Sequence, residues 1–159
     1  MRSLQRGRSV LPPLNEVNAA GEAWLCIVQL FKSDENKRRY LGAADALSLT
    51  PAALHALVCI APGEAKPMRV LADEWHCDRS NVTSIIDQLE ERGLVERRVL
   101  RTDRRVKTIC LTDAGARSRR QATELLSVPP ASFGVLSEAE QRRLRNLLRK
   151  VTTDLPPLR

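Results

Sequence analysis

Between Arg97 and Lys107 the chain places six basic side chains and one acid within eleven residues, RRVLRTDRRVK. Guanidinium and ammonium groups at that density suit the neutralisation of phosphate, which Arg performs with a planar bidentate fork. The neighbouring run DRSNVTSIIDQLEERG, Asp78 to Gly93, carries a different chemistry. Its Val82, Ile85, Ile86 and Leu89 recur at i, i+3, i+4 and i+7 and define a buried helix face. Arg79, Ser80, Asn81, Thr83, Ser84 and Gln88 are left pointing elsewhere. Such hydroxyl and amide side chains let a helix enter a major groove and reach base edges, whereas a face built for solvation more often carries Glu and Lys. The two segments thus divide one task. The helix reads bases, and Arg97, Arg98, Arg101, Arg104, Arg105 and Lys107 grip the backbone and fix the register. Asp103, at the ribbon's tip, either holds Arg104 or Arg105 extended toward a narrow minor groove or simply starts the turn.

These residues need a scaffold, and the periodicity supplies one. LVERRVL and RVKTICL, separated by RTD, read as two strands of a hairpin. Ahead of them LTPAALHALVCI offers Thr50 as N-cap and Pro51 at the first helical position. APGEAKPMRVLADEWHC repeats the device with Pro67 as opener. Asp78 caps the next helix, and Gly93 stops it in the left-handed conformation. The short connection before Asp78 makes a helix-turn-helix, with the basic hairpin following as a wing. NEVNAAGEAWLCIVQLFK and RRYLGAADAL predict two helices upstream. Downstream, Thr112 caps DAGARSRRQATELL, SVPPASFGVL breaks the chain, and Ser137 with Glu140 forms a capping box opening a last helix. The expected organisation is a basic arm over 1–12, dimerisation helices over 13–47, a winged helix-turn-helix over 48–115 and further dimerisation helices over 116–159. The fold class is mainly α with a small β-hairpin wing.

Composition narrows the partners. Lys plus Arg exceed Asp plus Glu by 26 to 19, a net charge of +7 that favours polyanions. No run of apolar residues is long enough for a membrane span and no secretion signal is evident, so the cytoplasm is the expected location. Cys26, Cys59, Cys77 and Cys110 form no CxxC pair and no zinc-ligand spacing with His55 or His76, so neither a disulfide framework nor a metal is expected. Cys77, just before a helix N-terminus, reads as a linker residue or as a thiol that the helix dipole would acidify. A nucleophilic enzyme would need Cys26 or Cys59 with His55 or His76. No glycine-rich turn, oxyanion-hole motif or third orienting group accompanies them, and no catalytic residue or cofactor is assigned. A nucleic-acid binder indifferent to sequence remains the alternative.

DQLEERGLVERR, TDRR and LTDAG, with the helices before and after them, resemble the multiple-antibiotic-resistance regulator (MarR) family, and the resemblance spans nearly the whole chain. The Asp-Arg-Arg of the wing, Asp103, Arg104 and Arg105, is that family's signature. The resemblance implies a homodimeric transcription factor, usually a repressor, on double-stranded DNA at a pseudo-palindromic site. The residues agree on dimers, because the terminal helices carry apolar stripes that a single chain has little means of covering. Val17, Trp24, Ile27 and Val28 are expected to meet Leu144, Leu147 and Leu148, setting two recognition helices about one duplex turn apart. The family implies release of DNA by small aromatic acids or phenols. A smaller branch senses organic peroxides through a cysteine on the first helix, where Cys26 stands here, with Tyr40 as the hydroxyl partner of its thiol. The competing reading makes Cys26 a small apolar residue at a packed interface.

Overall fold

The computed structural model describes residues 18–100 and 103–154, and of residues 100 and 103–105 only the backbone. Val17, the arm over 1–12 and Arg101 lie outside the described residues. The chain divides into two compact units between Lys37 and Arg38.

In the first unit Asn18 caps α1 (Ala19–Lys32), its Oδ1 accepting from the Gly21 amide at 3.0 Å. Ser33 closes this helix and opens α2 (Asp34–Ala46), its hydroxyl accepting from the Asn36 amide at 3.1 Å. The second helix therefore begins four residues before the predicted RRYLGAADAL, because a single Ser serves both ends. No residue of α1 is buried.

The second unit is built around α3 (Pro51–Cys59), α4 (Met68–Glu74), α5 (Arg79–Glu91) and α6 (Asp113–Ser127), with α7 (Glu138–Val151) following a 3-10 turn at Ala131–Val135. Leu54, Leu57 and Ile60 from α3 and its end, Leu71 from α4, and Val82, Ile86 and Leu89 from α5 are fully buried with Val95, Ile109 and Ala122. Each large side chain so buried contributes about 1.5–3 kcal/mol, enough to make this cluster the main source of stability. Ile85, expected on the same face, is only partly buried.

A three-stranded antiparallel sheet in the order β1-β3-β2 closes the core, with β1 at Lys66–Pro67, β2 at Val95–Leu100 and β3 at Asp103–Leu111. β1 went unread in the sequence. Pro67 there ends a two-residue edge strand that pairs with Ile109 and Thr108, and α4 starts one residue later at Met68. Two residues carry no periodicity, and a proline is tolerated at such an edge. Asp78 occupies the N-cap of α5 without a side-chain cap hydrogen bond, whereas Thr50, Thr112 and the Ser137–Glu140 capping box form as expected.

Three helices end in one geometry. The amides of Leu49, Cys77 and Leu94 return to the carbonyls of Ala44, Ala72 and Leu89 at 2.8, 3.2 and 2.9 Å. The residues before them, Ser48, His76 and Gly93, are left-handed, with φ of 53°, 49° and 67°. These turns satisfy the last carbonyls and redirect the chain within two residues. Only the third uses glycine, so Ser48 and His76 hold strain of roughly 1–2 kcal/mol each.

Gly115 has a separate reason to be glycine. A Cβ there would sit 1.8 Å from the Leu94 carbonyl oxygen. Gly115→Ala is therefore expected to cost about 3 kcal/mol in urea unfolding, because it overpacks against backbone. Gly93→Ala meets nothing within 4 Å and should cost about 1 kcal/mol, through φ alone. Equal costs for the two would contradict this account of the junction.

Candidate nucleic-acid interface

α5 has the two faces its sequence implied. Val82, Ile86 and Leu89 are buried, while Arg79, Ser80, Asn81, Thr83 and Ser84 are exposed. Thr83 turns its hydroxyl onto the Arg79 carbonyl at 2.8 Å, but the others keep their polar groups available on one surface. Gln88 departs from expectation. Its Oε1 accepts from the Thr50 hydroxyl at 3.0 Å, so the amide is drawn to the start of α3 rather than left on the open face. Gln88 joins two helices here, because it lies a full turn C-terminal to Ser84 where α3 crosses.

The ribbon follows after a three-residue turn. β2 and β3 pair Val95 with Leu111, Arg97 with Ile109 and Val99 with Lys107, and the register shifts between Val99 and Leu100. Arg98 and Lys107 are exposed, with Arg98 ion-paired to Glu96. Arg97 is a correction to the sequence reading. Its guanidinium turns away from solvent and spans Asp87 and Glu90 of α5, while its backbone amide reaches Glu90 Oε1 at 3.3 Å. Those bonds, the one to Asp87 foremost, raise its already high pKa. Two carboxylates across a tight turn outcompete solvent for a side chain whose strand position aims it back at the helix. The backbone of Asp103, Arg104 and Arg105 begins β3, while their side chains lie outside the described residues.

The junction between helix and ribbon is held from both sides. The Thr112 hydroxyl donates to the Gly93 carbonyl at 2.6 Å, and its amide to the Leu94 carbonyl at 3.1 Å. Thus the LTDAG motif caps α6 and pins the base of the wing at once. Sequence reasoning found Thr112 as a cap but missed this second role, since a contact 19 residues away leaves no local pattern.

The thiols separate clearly. Cys26 is exposed, Cys59 and Cys77 intermediate, and Cys110 buried. Tyr40, read as the partner of Cys26, donates its hydroxyl to the Pro51 carbonyl at 3.1 Å and lies near Cys59. Burial, then the neighbouring Cys59, pushes its pKa up. Its proton is thus already committed, because α2 lies against the start of α3. Cys59 Sγ and His55 Nε2 lie 3.6 Å apart on successive turns of α3. Burial pushes the Cys59 thiol up, Glu74 adds to this, and Lys66 and Arg119 oppose it. That is the reverse of what a nucleophile needs. Cys110 is likewise pushed up by burial, with Arg98 opposing. Among the described residues no group of three His, Cys, Asp or Glu side chains could hold a metal ion.

The apolar stripes also have a place. Trp24 is 63% and Phe31 77% exposed on α1, where Ile27 is also exposed and Val28 half-buried. On α7 Leu147 and Val151 are exposed at 53% and 75%, Leu148 lies at the margin, and Leu144 is half-buried. Leu144 and Leu148 line a cavity of about 790 Å³ with Pro129, Pro130, Phe133 and Arg149.

Residues 49–107, which hold α5 and most of the ribbon, match the model of the MarR family. Over 104 residues, 65% of this chain, it is 30% identical to a Thauera aromatica protein assigned to regulate transcription of the hcr operon. The match spans 63% of that relative's length, less than two thirds of it. The organic hydroperoxide resistance transcriptional regulator of Bacillus subtilis (strain 168) is 25% identical over 137 residues, 86% of this chain and 90% of its own. The fold is that of a mutant of S. aureus MepR bound to an oligodeoxyribonucleotide, with a TM-score of 0.58, 19% identity and coverage of 84% of this chain and 98% of that one. The matched region, 49–107, thus contains both chemical segments read from the sequence.

Exposure and burial set an order of thiol reactivity. Iodoacetamide at neutral pH should alkylate Cys26 before Cys59 and Cys110, followed by peptide mass spectrometry. Because burial favours the neutral thiols of Cys59 and Cys110, their rates should climb only as the pH rises past the ordinary thiol range. Cys59 reacting as fast as Cys26 at neutral pH would overturn the assignment.

Proposed function

We propose that this protein is a homodimeric, sequence-specific DNA-binding regulator of transcription, acting in the cytoplasm as a repressor on a pseudo-palindromic site. The observation that carries the reading is the open face of Arg79, Ser80, Asn81, Thr83 and Ser84 beside a basic ribbon in the region that matches the MarR family. The short residues enter the major groove while Arg98, Arg104, Arg105 and Lys107, with Arg101, contact phosphate. Net charge of +7 assists encounter with DNA. The oligonucleotide bound to MepR on the same fold supports this use of the surface.

The exposed apolar residues of α1 and α7 support the dimer, since faces of this composition are more stable covered than wet. A small aromatic acid is the proposed releasing signal, and the cavity beside α7 supports it. Its volume, about 790 Å³, falls in the range of ligand sites, and Arg145 and Arg149 on its wall suit a carboxylate. Leu144 and Leu148 belong both to this wall and to the proposed dimer face, so a ligand there can favour one arrangement of the two subunits. The second reading, thiol sensing by Cys26, is favoured by the exposure of that thiol and by similarity to the hydroperoxide regulator.

Fluorescence anisotropy with duplexes selected from the host genome tests the main reading. Affinity should fall with salt at a slope of about −0.9 for each phosphate neutralised. Arg104→Ala and Lys107→Ala should each lower that slope by about 1, while Asn81→Ala and Ser84→Ala should leave it unchanged and relax base preference. Equal affinity for selected and random duplexes at physiological salt would instead establish an indiscriminate binder. Trp24→Glu should shift the sedimentation coefficient of a dimer to that of a monomer. A wild-type chain already monomeric at micromolar concentration would end the two-fold arrangement. Hydroperoxide that still releases DNA from a Cys26→Ser variant would exclude the thiol signal.

A further inference from the structure

The proposed interface works only if α5 and the ribbon meet the same duplex at once, so the angle between them must be held. The covalent link is short and bends at a glycine. α5 ends at Glu91, Gly93 is left-handed, and β2 begins at Val95. At the base of this link Thr112 binds the Gly93 and Leu94 carbonyls. On the β2 side, one residue reaches back. Arg97 extends over seven residues to Glu90 and over ten to Asp87, with one guanidinium nitrogen on each carboxylate, and its own amide also reaches Glu90. Its side chain is 25% exposed, against 63% for Arg98 on the same strand.

We propose that Arg97 is a positioning residue for DNA recognition: its fork between Asp87 and Glu90 locks the ribbon at a set angle to the recognition helix, and it is not itself a phosphate contact. Three features carry this. A bidentate guanidinium fixes direction as well as distance, which a single ammonium does not. The bonds span two elements linked by only three residues, on the β2 side of a junction whose base Thr112 holds, so they fix the ribbon's direction where the base contacts do not reach. Finally, both carboxylates stand on α5 itself, three and six residues beyond Ser84, so a change at Arg97 is transmitted straight to the base-reading helix. Neutralising Asp87 and Glu90 also spares the phosphate backbone two nearby negative charges, but the geometry makes orientation the principal effect.

The inference rests on the DNA-binding reading, and the tests separate the two. Arg97→Met should weaken binding to the selected duplex by about tenfold or more, measured where the variant is shown by circular dichroism to be fully folded. The salt slope should stay at the wild-type value, because no phosphate contact is lost. Arg97→Lys, able to hold one carboxylate, should fall between the two. A slope lowered by about 1 would make Arg97 a phosphate ligand and overturn the proposal, as would unchanged affinity in the folded variant. Adding Asp87→Asn and Glu90→Gln to Arg97→Met should not restore affinity, and full restoration would assign the effect to charge masking instead. Without DNA, residual dipolar couplings of α5 and of β2–β3 should fit one alignment tensor in the wild type and need a separate, reduced tensor for the ribbon in Arg97→Met. A single tensor in both proteins removes the lock whatever the protein binds. Two tensors with no DNA affinity in the wild type would keep the lock and discard its proposed purpose.

Discussion

The turn from α5 into β2 is the constraint on which the rest of the winged unit depends. Within Gly93 and Leu94 the chain leaves a helix packed on the core and enters a sheet that closes it. A left-handed Gly93 permits the reversal, and the Leu94 amide satisfies the Leu89 carbonyl that the helix would otherwise leave open. The Leu94 carbonyl then accepts from Thr112 and lies where any side chain at position 115 would collide. Helix, ribbon and α6 therefore meet at one backbone oxygen. Small changes there move all three, because close-packed backbone has no slack to absorb them.

Around that junction the energetic division is plain. Leu54, Leu57, Ile60, Leu71, Val82, Ile86 and Leu89 supply the apolar burial, and none of them is part of the exposed surface. The polar groups of the surface are sorted by partner. Arg97, Gln88 and Thr112 are consumed in joining elements, while Asn81, Ser84 and Lys107 remain exposed. Basic residues in one short run thus take on unlike roles. Strand position and the nearest carboxylates, rather than residue type, decide which arginine holds the fold and which faces outward.

Outside the core the chain keeps apolar side chains in the open on α1 and α7, with Trp24, Phe31 and Val151 the most exposed. Such residues are expensive to leave hydrated, and they are segregated from the polar face of α5. On α7, Arg145 and Arg149 line the same cavity as Leu144 and Leu148, so positive charge stands beside apolar side chains there.

Residue order alone determined much of this protein. The i, i+3, i+4, i+7 pattern of α5, the caps at Thr50, Thr112 and Ser137, the Gly93 stop and the alternating basic ribbon are local signals, set by neighbours within one or two turns. They were enough to name the helix-turn-helix, the wing and the open face of short residues. Tertiary structure alone decided the pairing of Lys66–Pro67 with β3, the capture of Gln88 by Thr50, the turning of Arg97 onto α5 and the commitment of Tyr40 to Pro51. Each of those choices depends on which groups arrive from other elements of the fold. A side chain's partner is selected by distance and competing solvation in three dimensions, and neither is written in its spacing along the chain.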